Sequence, residues 1–380
     1  MTRFVKLDSP LISAFDTVLA PEVETVPTRI GAVLKRLAGR RGWGGVAASV
    51  LRALTTGRGA AALVEGNLTR KAMRLPRLYG PGPVRALYGA VKRLEAALLR
   101  DTLEAELAAA QGRIAVIYNG SNYPESVMND VTARLGMDRV FIENGFFPDT
   151  MQLDPKGLNA ANSVPRDPAF YLETPEDFAA PGLPELVNNR PAKRAQDAVD
   201  LPEDFIFVAF QVPSDMQVRV HSPWIRDMEA FHDAIRDAAA RNPGLTFVIK
   251  EHPSFKRSVI GTRPPQPGVI FANGNVTSEM IGRARAVITL NSTVGIEGLL
   301  LGKPVITLAD ACYNIEGLVL HAPSAAALDA ALAQVGAGWH PQDRLRRQFL
   351  GWLWNRYLVR ANKKAPPDDL AAIIHARLVG

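Results

Sequence analysis

The sequence predicts an α/β protein of two domains, each built on a parallel sheet wound by helices, and three observations carry that prediction. From Phe205 onward, short runs of Val, Ile and Phe alternate with helical patterns across short connections, as in parallel strands joined by helices. A strand, helix, strand series also begins at Arg113. The chain has 380 residues, 47% apolar and 22% charged, enough for two hydrophobic cores of ordinary size.

The N-terminus, MTRFVKLDSPLISAFDTVLAPEVE, has Lys6, Asp8 and Asp16 breaking its apolar residues, so it lacks the long apolar stretch of a secretory signal. No segment reaches the roughly 18 uncharged apolar residues of a membrane span. The single cysteine, Cys312, rules out an intramolecular disulfide and fits a reducing compartment. A cytoplasmic protein, soluble or peripheral at the inner face of the membrane, is expected.

From Thr28 to Leu107 the pattern is helical, broken around Arg40-Arg41-Gly42 and in Tyr79-Gly80-Pro81-Gly82-Pro83. This stretch, about 28–107, reads as a helical insertion in the first domain. Between Arg29 and Arg100 stand 15 Lys and Arg against only Glu65 and Glu95, about +13 in a chain whose net charge is +6. An anionic membrane surface is an expected partner for segment 29–100, at roughly 1 kcal/mol per cation near it. A solvated helical face or a basic substrate groove is the alternative. Nucleic acid is not expected, because no RNA- or DNA-binding signature appears.

Ile114 to Tyr118 reads as a buried strand, Pro124 to Leu135 as a helix and Arg139 to Ile142 as a second strand. Pro, Glu, Asp and Asn then accumulate without apolar periodicity. The expected organisation is a first domain over 1–175, a linker over 176–203 and a second domain over 204–340. C-terminal helices over 341–380 would pack across the two. In the second domain, strands are expected at Phe205 to Phe210, Thr246 to Lys250, Val269 to Phe271, Ala286 to Leu290 and Pro304 to Leu308. Helices are expected at Asp227 to Arg241, Thr277 to Arg283 and Val294 to Leu301.

The unusual polar residues fall at the carboxyl ends of these strands, where open α/β sheets bind ligands. After FIFVAF come Gln211, Asp215 and Gln217, then His221 and Ser222. Asp215 is suited to act as nucleophile or base, and the amides and imidazole to orient sugar hydroxyls or a carboxylate. The alternative is that Asp215 and Ser222 cap the turn or helix that follows. Lys250-Glu251-His252-Pro253 ends the next strand, where Lys250 and His252 could neutralise a phosphate. Asn291-Ser292-Thr293 opens a helix whose free amides and dipole favour an anion, and Glu297 lies one turn in, within reach of a ribose hydroxyl. An ordinary N-cap, with Gly295 and Gly298 chosen for close packing, is the alternative. The P-loop and dinucleotide glycine patterns are absent from the chain. In the first domain, Glu143 follows a strand directly and is suited to general acid or base work toward an acceptor hydroxyl, unless it is merely a surface turn residue. Asn119, Asn144, Asn159 and Arg166 are further polar residues that would contact an acceptor or line a cleft.

In order, ENGFFPDTMQLDPKGLNAANSVPRDPAFY, QVPSDMQVRVHSPW, KEHP, NSTVGIEGLLLGKPV and ADACYNIEGL resemble the capsule polysaccharide synthesis family of retaining β-Kdo glycosyltransferases, from about Tyr118 to Leu318. The resemblance implies a GT-B-like fold, two Rossmann-like domains whose sheets face a central cleft. It implies transfer of the acidic sugar Kdo from CMP-Kdo to a lipid-linked or oligosaccharide acceptor, with no metal or other cofactor. Asp215 would be the nucleophile of a double displacement and Glu143 the acid/base. Gln211, Gln217, His221 and Ser222 would surround the donor sugar, and Lys250, His252, Pro253, Asn291, Ser292, Thr293 and Glu297 would hold the nucleotide. Competing readings are a transferase of another sugar nucleotide, a CMP-nonulosonate or a UDP-sugar, and a noncatalytic capsule-assembly protein at the membrane.

Overall fold

The computed structural model describes residues 3–56, 58–108, 112–185, 197–213, 216–254 and 258–379. The chain divides into two compact units. The first comprises Met1–Gly145, Asp149–Leu158 and Val359–Gly380, and the second Phe146–Pro148 and Asn159–Leu358.

The first unit opens with strand β1 (Phe4–Leu7), short helix α1 (Phe15–Val18) and strand β2 (Val23–Val26). The sequence reading assigned neither strand, because charge breaks up their apolar pattern. Lys6 is nevertheless fully buried, its ammonium 3.0 Å from an Asp16 carboxylate oxygen, so the charge is carried into the sheet as a pair. Four helices follow: α2 (Ile30–Thr56), α3 (Arg58–Arg74), α4 (Pro76–Tyr79) and α5 (Pro83–Leu107). Helix α2 bends at Gly42, whose φ of 67° is a left-handed value that glycine adopts without strain. Helices α4 and α5 each start on a proline, where the missing amide proton is no loss. Leu99, Leu103 and Leu107 of α5 pack on Val5, Leu7, Ala115 and Ile117 of the sheet.

Strand β3 (Ile114–Tyr118), helix α6 (Glu125–Arg134), strand β4 (Asp138–Asn144) and strand β5 (Met151–Asp154) complete the sheet. Its order is β2-β1-β3-β4-β5, parallel except for β5, which runs antiparallel to β4. The chain leaves β1 toward β2 on one side and takes up β3 on the other, so the strand order reverses between β1 and β3. Open parallel sheets bind ligands beyond the strand ends at such a switch point.

The second unit contains helix α7 (Pro168–Leu172), strand β6 (Ile206–Ala209), helices α8 (Met216–His221) and α9 (Met228–Arg241), and strands β7 (Phe247–Lys250) and β8 (Val269–Phe271). Helix α10 (Thr277–Arg283), strand β9 (Ala286–Thr289), helix α11 (Thr293–Leu300), strands β10 (Val305–Thr307) and β11 (Leu320–His321), and helices α12 (Ala325–Gly336) and α13 (Asp343–Trp352) follow. The sheet order is β11-β10-β9-β6-β7-β8, with every neighbouring pair parallel. This is a doubly wound order that switches between β6 and β9. Alternate residues of β6 feed opposite cores. Ile206 and Val208 pack with Phe231 and Ile235 of α9, while Phe207 and Ala209 share a cluster with Ile296 and Leu299 of α11. A strand covered on both faces reads as an unbroken apolar run, which is why FIFVAF was legible.

The division of the chain departs from expectation in two places. Residues 159–185 belong to the second unit, although 159–175 were expected in the first domain and 176–185 in a linker. Phe178 and Ala179 are buried, the Phe178 amide donates to the Gln348 side-chain oxygen at 2.8 Å, and the Asn355 amide donates to the Phe178 carbonyl at 2.9 Å. Gly351 of α13 lies against this main chain, where a Cβ would come within 2.5 Å of it. The segment is gripped largely by its backbone and so shows no side-chain periodicity. Residues 186–196 of the expected linker lie outside the described residues. The C-terminal helices, expected as one group over 341–380, part at Leu358. Helix α13 belongs to the second unit, where Trp352 packs edge-on to Tyr171, and helix α14 (Leu370–Val379) buries Leu370 and Ile374 in the first.

Candidate functional site

At the switch point of the second sheet, Ala209 of β6 pairs with Thr289 of β9, and two residues beyond each stand Gln211 and Asn291, both buried. The Gln211 side-chain amide donates to the Asn291 side-chain oxygen at 3.0 Å, and the Asn291 main-chain amide donates back to the Gln211 side-chain oxygen at 3.1 Å. Asn291 Nδ2 donates to the carbonyls of Gln217 and Asp310, each at 3.0 Å. A primary amide has two N–H donors, so both of Asn291's are directed to the main chain. The amides thus tie β6, α8, β9 and the segment after β10 together without a buried charge.

Helix α11 starts immediately beyond. Ser292 caps it, its hydroxyl accepting from the Val294 amide at 3.3 Å, while Tyr313 donates to the Ser292 carbonyl at 2.5 Å. Gly295 leaves room for that tyrosine, since a Cβ there would sit 2.5 Å from the Tyr313 oxygen. Thr293 is half-buried at the helix start and Glu297 is buried one turn in. The partial positive charge of a helix start therefore lies next to the switch point.

The other expected residues of this unit that are described lie at the end of β7 and on loops and helices of the unit. Asp215 lies outside the described residues. Gln217, at the start of α8, accepts from the Ala160 amide at 3.4 Å. His221 is half-buried and its pKa is lowered by burial, with Asp310 opposing the shift. Ser222 is buried and its hydroxyl donates to the Ile225 carbonyl, so it closes a local turn. Lys250 donates to the Asn275 carbonyl, and burial lowers its pKa. His252 Nδ1 accepts from the Ser254 amide at 3.1 Å, a contact made across Pro253. Glu251 was passed over as a ligand in the sequence reading. It holds the loop by accepting from the Val259 amide at 2.7 Å, the Ser258 hydroxyl at 2.7 Å and the Asn273 side chain at 2.9 Å. His252, Glu251, Gln211, Phe210 and Met228 line a shallow pocket. Asn159 has a left-handed φ of 53°, and Arg166 binds the carbonyls of Ala160, Asn162 and Val164, so Arg166 shapes the loop that meets Gln217.

In the first unit Glu143 stands at the end of β4. Its carboxylate accepts from the Tyr118 hydroxyl at 2.9 Å, the Asn119 side chain at 2.8 Å and the Asn144 main-chain amide at 2.9 Å. The left-handed φ values of Asn119 (63°) and Gly120 (73°) turn the chain sharply after β3 and bring the Asn119 amide onto Glu143. Lys363, from the C-terminal segment, donates to the Tyr118 oxygen at 2.7 Å and lies 3.9 Å from Glu143. Burial lowers the Lys363 pKa, and burial together with Glu143 raises that of Tyr118, which favours the neutral hydroxyl as donor. Asn144 itself is exposed. Sequence reasoning missed Lys363, which no motif marks, and Glu125, which is buried at the start of α6. Among the described residues, no group of three or more His, Cys, Asp or Glu side chains is arranged to hold a metal ion, and no helix is long and apolar enough to cross a membrane.

Residues 184–331, which include most of the second sheet, match the model of a capsule polysaccharide biosynthesis protein family. Protein FixF of Sinorhizobium fredii (strain NBRC 101917 / NGR234) is 52% identical over 378 residues, 98% of this chain and 92% of that protein. The chain belongs to the capsule polysaccharide biosynthesis family. Another relative, the capsule polysaccharide export protein KpsS of Escherichia coli, is 22% identical over 294 residues, 60% of this chain and 72% of that protein. Among solved structures, the β-Kdo 2,4 transferase KpsC of Thermosulfurimonas dismutans overlays with a TM-score of 0.44 and 17% identity, covering 63% of this chain and 80% of that one. The segment matched by the family model carries Gln211, Gln217, Lys250, Asn291 and Glu297. Glu143 and Lys363 lie outside it.

Proposed function

We propose that this protein is a retaining glycosyltransferase that moves Kdo from CMP-Kdo to a lipid-linked or oligosaccharide acceptor in capsule or surface polysaccharide synthesis. The observation that carries the reading is the position of Gln211, Gln217 and Asn291, which meet at the β6/β9 switch point beside the start of α11. A nucleotide phosphate suits that place because the helix dipole favours an anion there and Thr293 stands at the helix start. His252 and Thr293 would contact the phosphate and Glu297 the ribose. Gln211, Asn291, Arg166 and Ser222 would act by fixing the loops that hold the donor.

In the reaction the Asp215 carboxylate attacks the anomeric carbon of Kdo as the bond to the CMP phosphate breaks, and CMP leaves with the electron pair. The acceptor hydroxyl then attacks the same carbon, gives its proton to Glu143 and displaces Asp215. Two inversions give net retention. The role of Asp215 rests on its place in the sequence between β6 and α8. Tyr118, Asn119 and Lys363 would hold the Glu143 carboxylate in one orientation. The reading requires no metal or other cofactor.

The test incubates the protein with CMP-Kdo generated in place and follows CMP release together with a Kdo-sized mass increment on the protein. An increment on the wild type that is missing in Asp215→Ala is the expected result. A folded Asp215→Ala that transfers at the wild-type rate would remove the nucleophile assignment, and a wild type that neither binds nor hydrolyses CMP-Kdo would remove the donor.

A further inference from the structure

We propose that the tip formed by the end of α3, all of α4 and the start of α5 is a docking surface for the anionic face of a lipid bilayer. Between Arg70 and Arg93 the chain has seven Lys and Arg and no Asp or Glu. Among the described residues, the ion pairs in this stretch are those of Arg85 with Glu65 and Lys92 with Glu95, both reaching acids outside it. Arg74 and Arg77 are exposed at the tip itself.

The same tip presents apolar side chains to solvent. Leu75 is 50% exposed, Leu78 51% and Leu87 69%, with Val84 and Val91 also exposed. Single exposed leucines are ordinary, but five exposed aliphatic side chains between residues 75 and 91, interleaved with arginines, are a candidate patch. Other leucines are exposed elsewhere, Leu51 and Leu54 among them, but these five residues share the stretch that has seven cations and no acid.

The tip is held in shape before any partner arrives. Pro76 and Pro83 start α4 and α5, Tyr79 and Tyr88 meet edge to face at 5.2 Å, and the Lys71 ammonium lies 5.3 Å from the Tyr79 ring centre. A bilayer surface matches both halves of this chemistry: lipid phosphates take the guanidinium groups, and the boundary below the headgroups takes the leucines. Nucleic acid would use the cations and leave the leucines in water.

The experiment is co-sedimentation of the full chain with vesicles of phosphatidylglycerol and phosphatidylcholine in equal parts, and with phosphatidylcholine alone. The protein is expected to bind the first and not the second, with affinity falling as salt shortens the screening length. Arg70→Gln, Arg74→Gln and Arg77→Gln combined should lower vesicle affinity on the order of a hundredfold, at roughly a factor of five per cation. Leu75→Ser, Leu78→Ser and Leu87→Ser combined should lower it by about tenfold or more. The same Gln exchange at exposed Arg344 and Arg347 should leave it unchanged. These side chains are exposed apart from Arg70, which is half-buried, and circular dichroism checks that each variant folds. Equal binding to both vesicle types, binding to neither, or affinity unchanged in both combined variants would overturn the proposal. So would a concentration-dependent dimer that the leucine exchanges abolish in a protein that ignores vesicles. No residue of the tip belongs to the candidate site, so failure here is separate from failure of the transferase reading.

Discussion

Glu125 should make the first unit less stable as pH rises, and Glu125→Gln should abolish that dependence. The side chain is 6% exposed at the start of α6, and neither carboxyl oxygen has a hydrogen-bond partner among the described residues. Burial pushes its pKa from 4.5 up to about 8, against weaker opposing pulls from the Tyr118 main chain and the Lys6 ammonium. The raised pKa means that the folded chain holds a proton between 4.5 and about 8 that the unfolded chain has released. Stability therefore falls as pH rises through that window. One pKa unit corresponds to about 1.4 kcal/mol, so the loss grows to roughly 3 kcal/mol near pH 7 and levels off at roughly 5 kcal/mol above about pH 8.

Glutamine keeps the shape and cannot ionise, so any cost of its unpaired amide is the same at every pH. The assay is urea unfolding of both proteins from about pH 4 to pH 9, with hydrogen exchange of β3 and β4 amides locating the transition in the first unit. The variant should gain on the wild type by about 1.4 kcal/mol per pH unit across the window. A stability difference that stays flat over the window would refute the reasoning, because an ionised Glu125 would then be as well solvated folded as unfolded.

The remaining predictions concern the strand ends. Asn291→Ala removes three side-chain hydrogen bonds and leaves the Gln211 amide and the Gln217 and Asp310 carbonyls unpaired. The expected loss is about 3 kcal/mol, read as a lower urea midpoint, with weaker CMP binding by calorimetry. Gly295→Ala places a methyl against Tyr313 and should cost about 1–3 kcal/mol by the same urea measurement. Glu143→Gln should lower transfer to the acceptor by about a hundredfold or more while the Kdo adduct still forms, since only the second displacement needs the base. Rapid quenching and intact mass spectrometry separate the two steps.

What the sequence made legible followed from burial on two faces. The strands of the second unit are continuous apolar runs, and those assigned from the sequence came within a residue or two of their true ends. Strands β1 and β2 escaped because Lys6 and Glu24 interrupt them, and the Lys6 charge is met by Asp16, a contact no local pattern reveals. The segment 176–185 looked like a linker because its grip on α13 runs largely through main-chain groups. The candidate site was legible as a set of strand-end polar residues, since Gln211 and Asn291 each follow a recognisable strand. Lys363 was not, because it reaches Tyr118 from 245 residues away in the chain.

The strand ends of the two units are tied by opposite means, β6 to β9 in the second and β3 to β4 in the first, and this separates positioning groups from reacting ones. In the second unit the tie is neutral: Gln211 and Asn291 satisfy each other and the neighbouring main chain, so nothing in that circuit titrates across the range in which Glu125 does. Both donors of the Asn291 side chain are already used, and a ligand could engage them only by breaking bonds that hold α8 and the segment after β10. Asn291 is therefore suited to positioning, and Thr293 at the helix start is better suited to contact a phosphate. In the first unit the tie is ionic and hydrogen-bonded around a carboxylate: Lys363 donates to Tyr118 and Tyr118 donates to Glu143. If the amide circuit is only a tie, Asn291→Asp should fail as fully as Asn291→Ala, because a carboxylate turned on two carbonyls repels them where the amide donated to both.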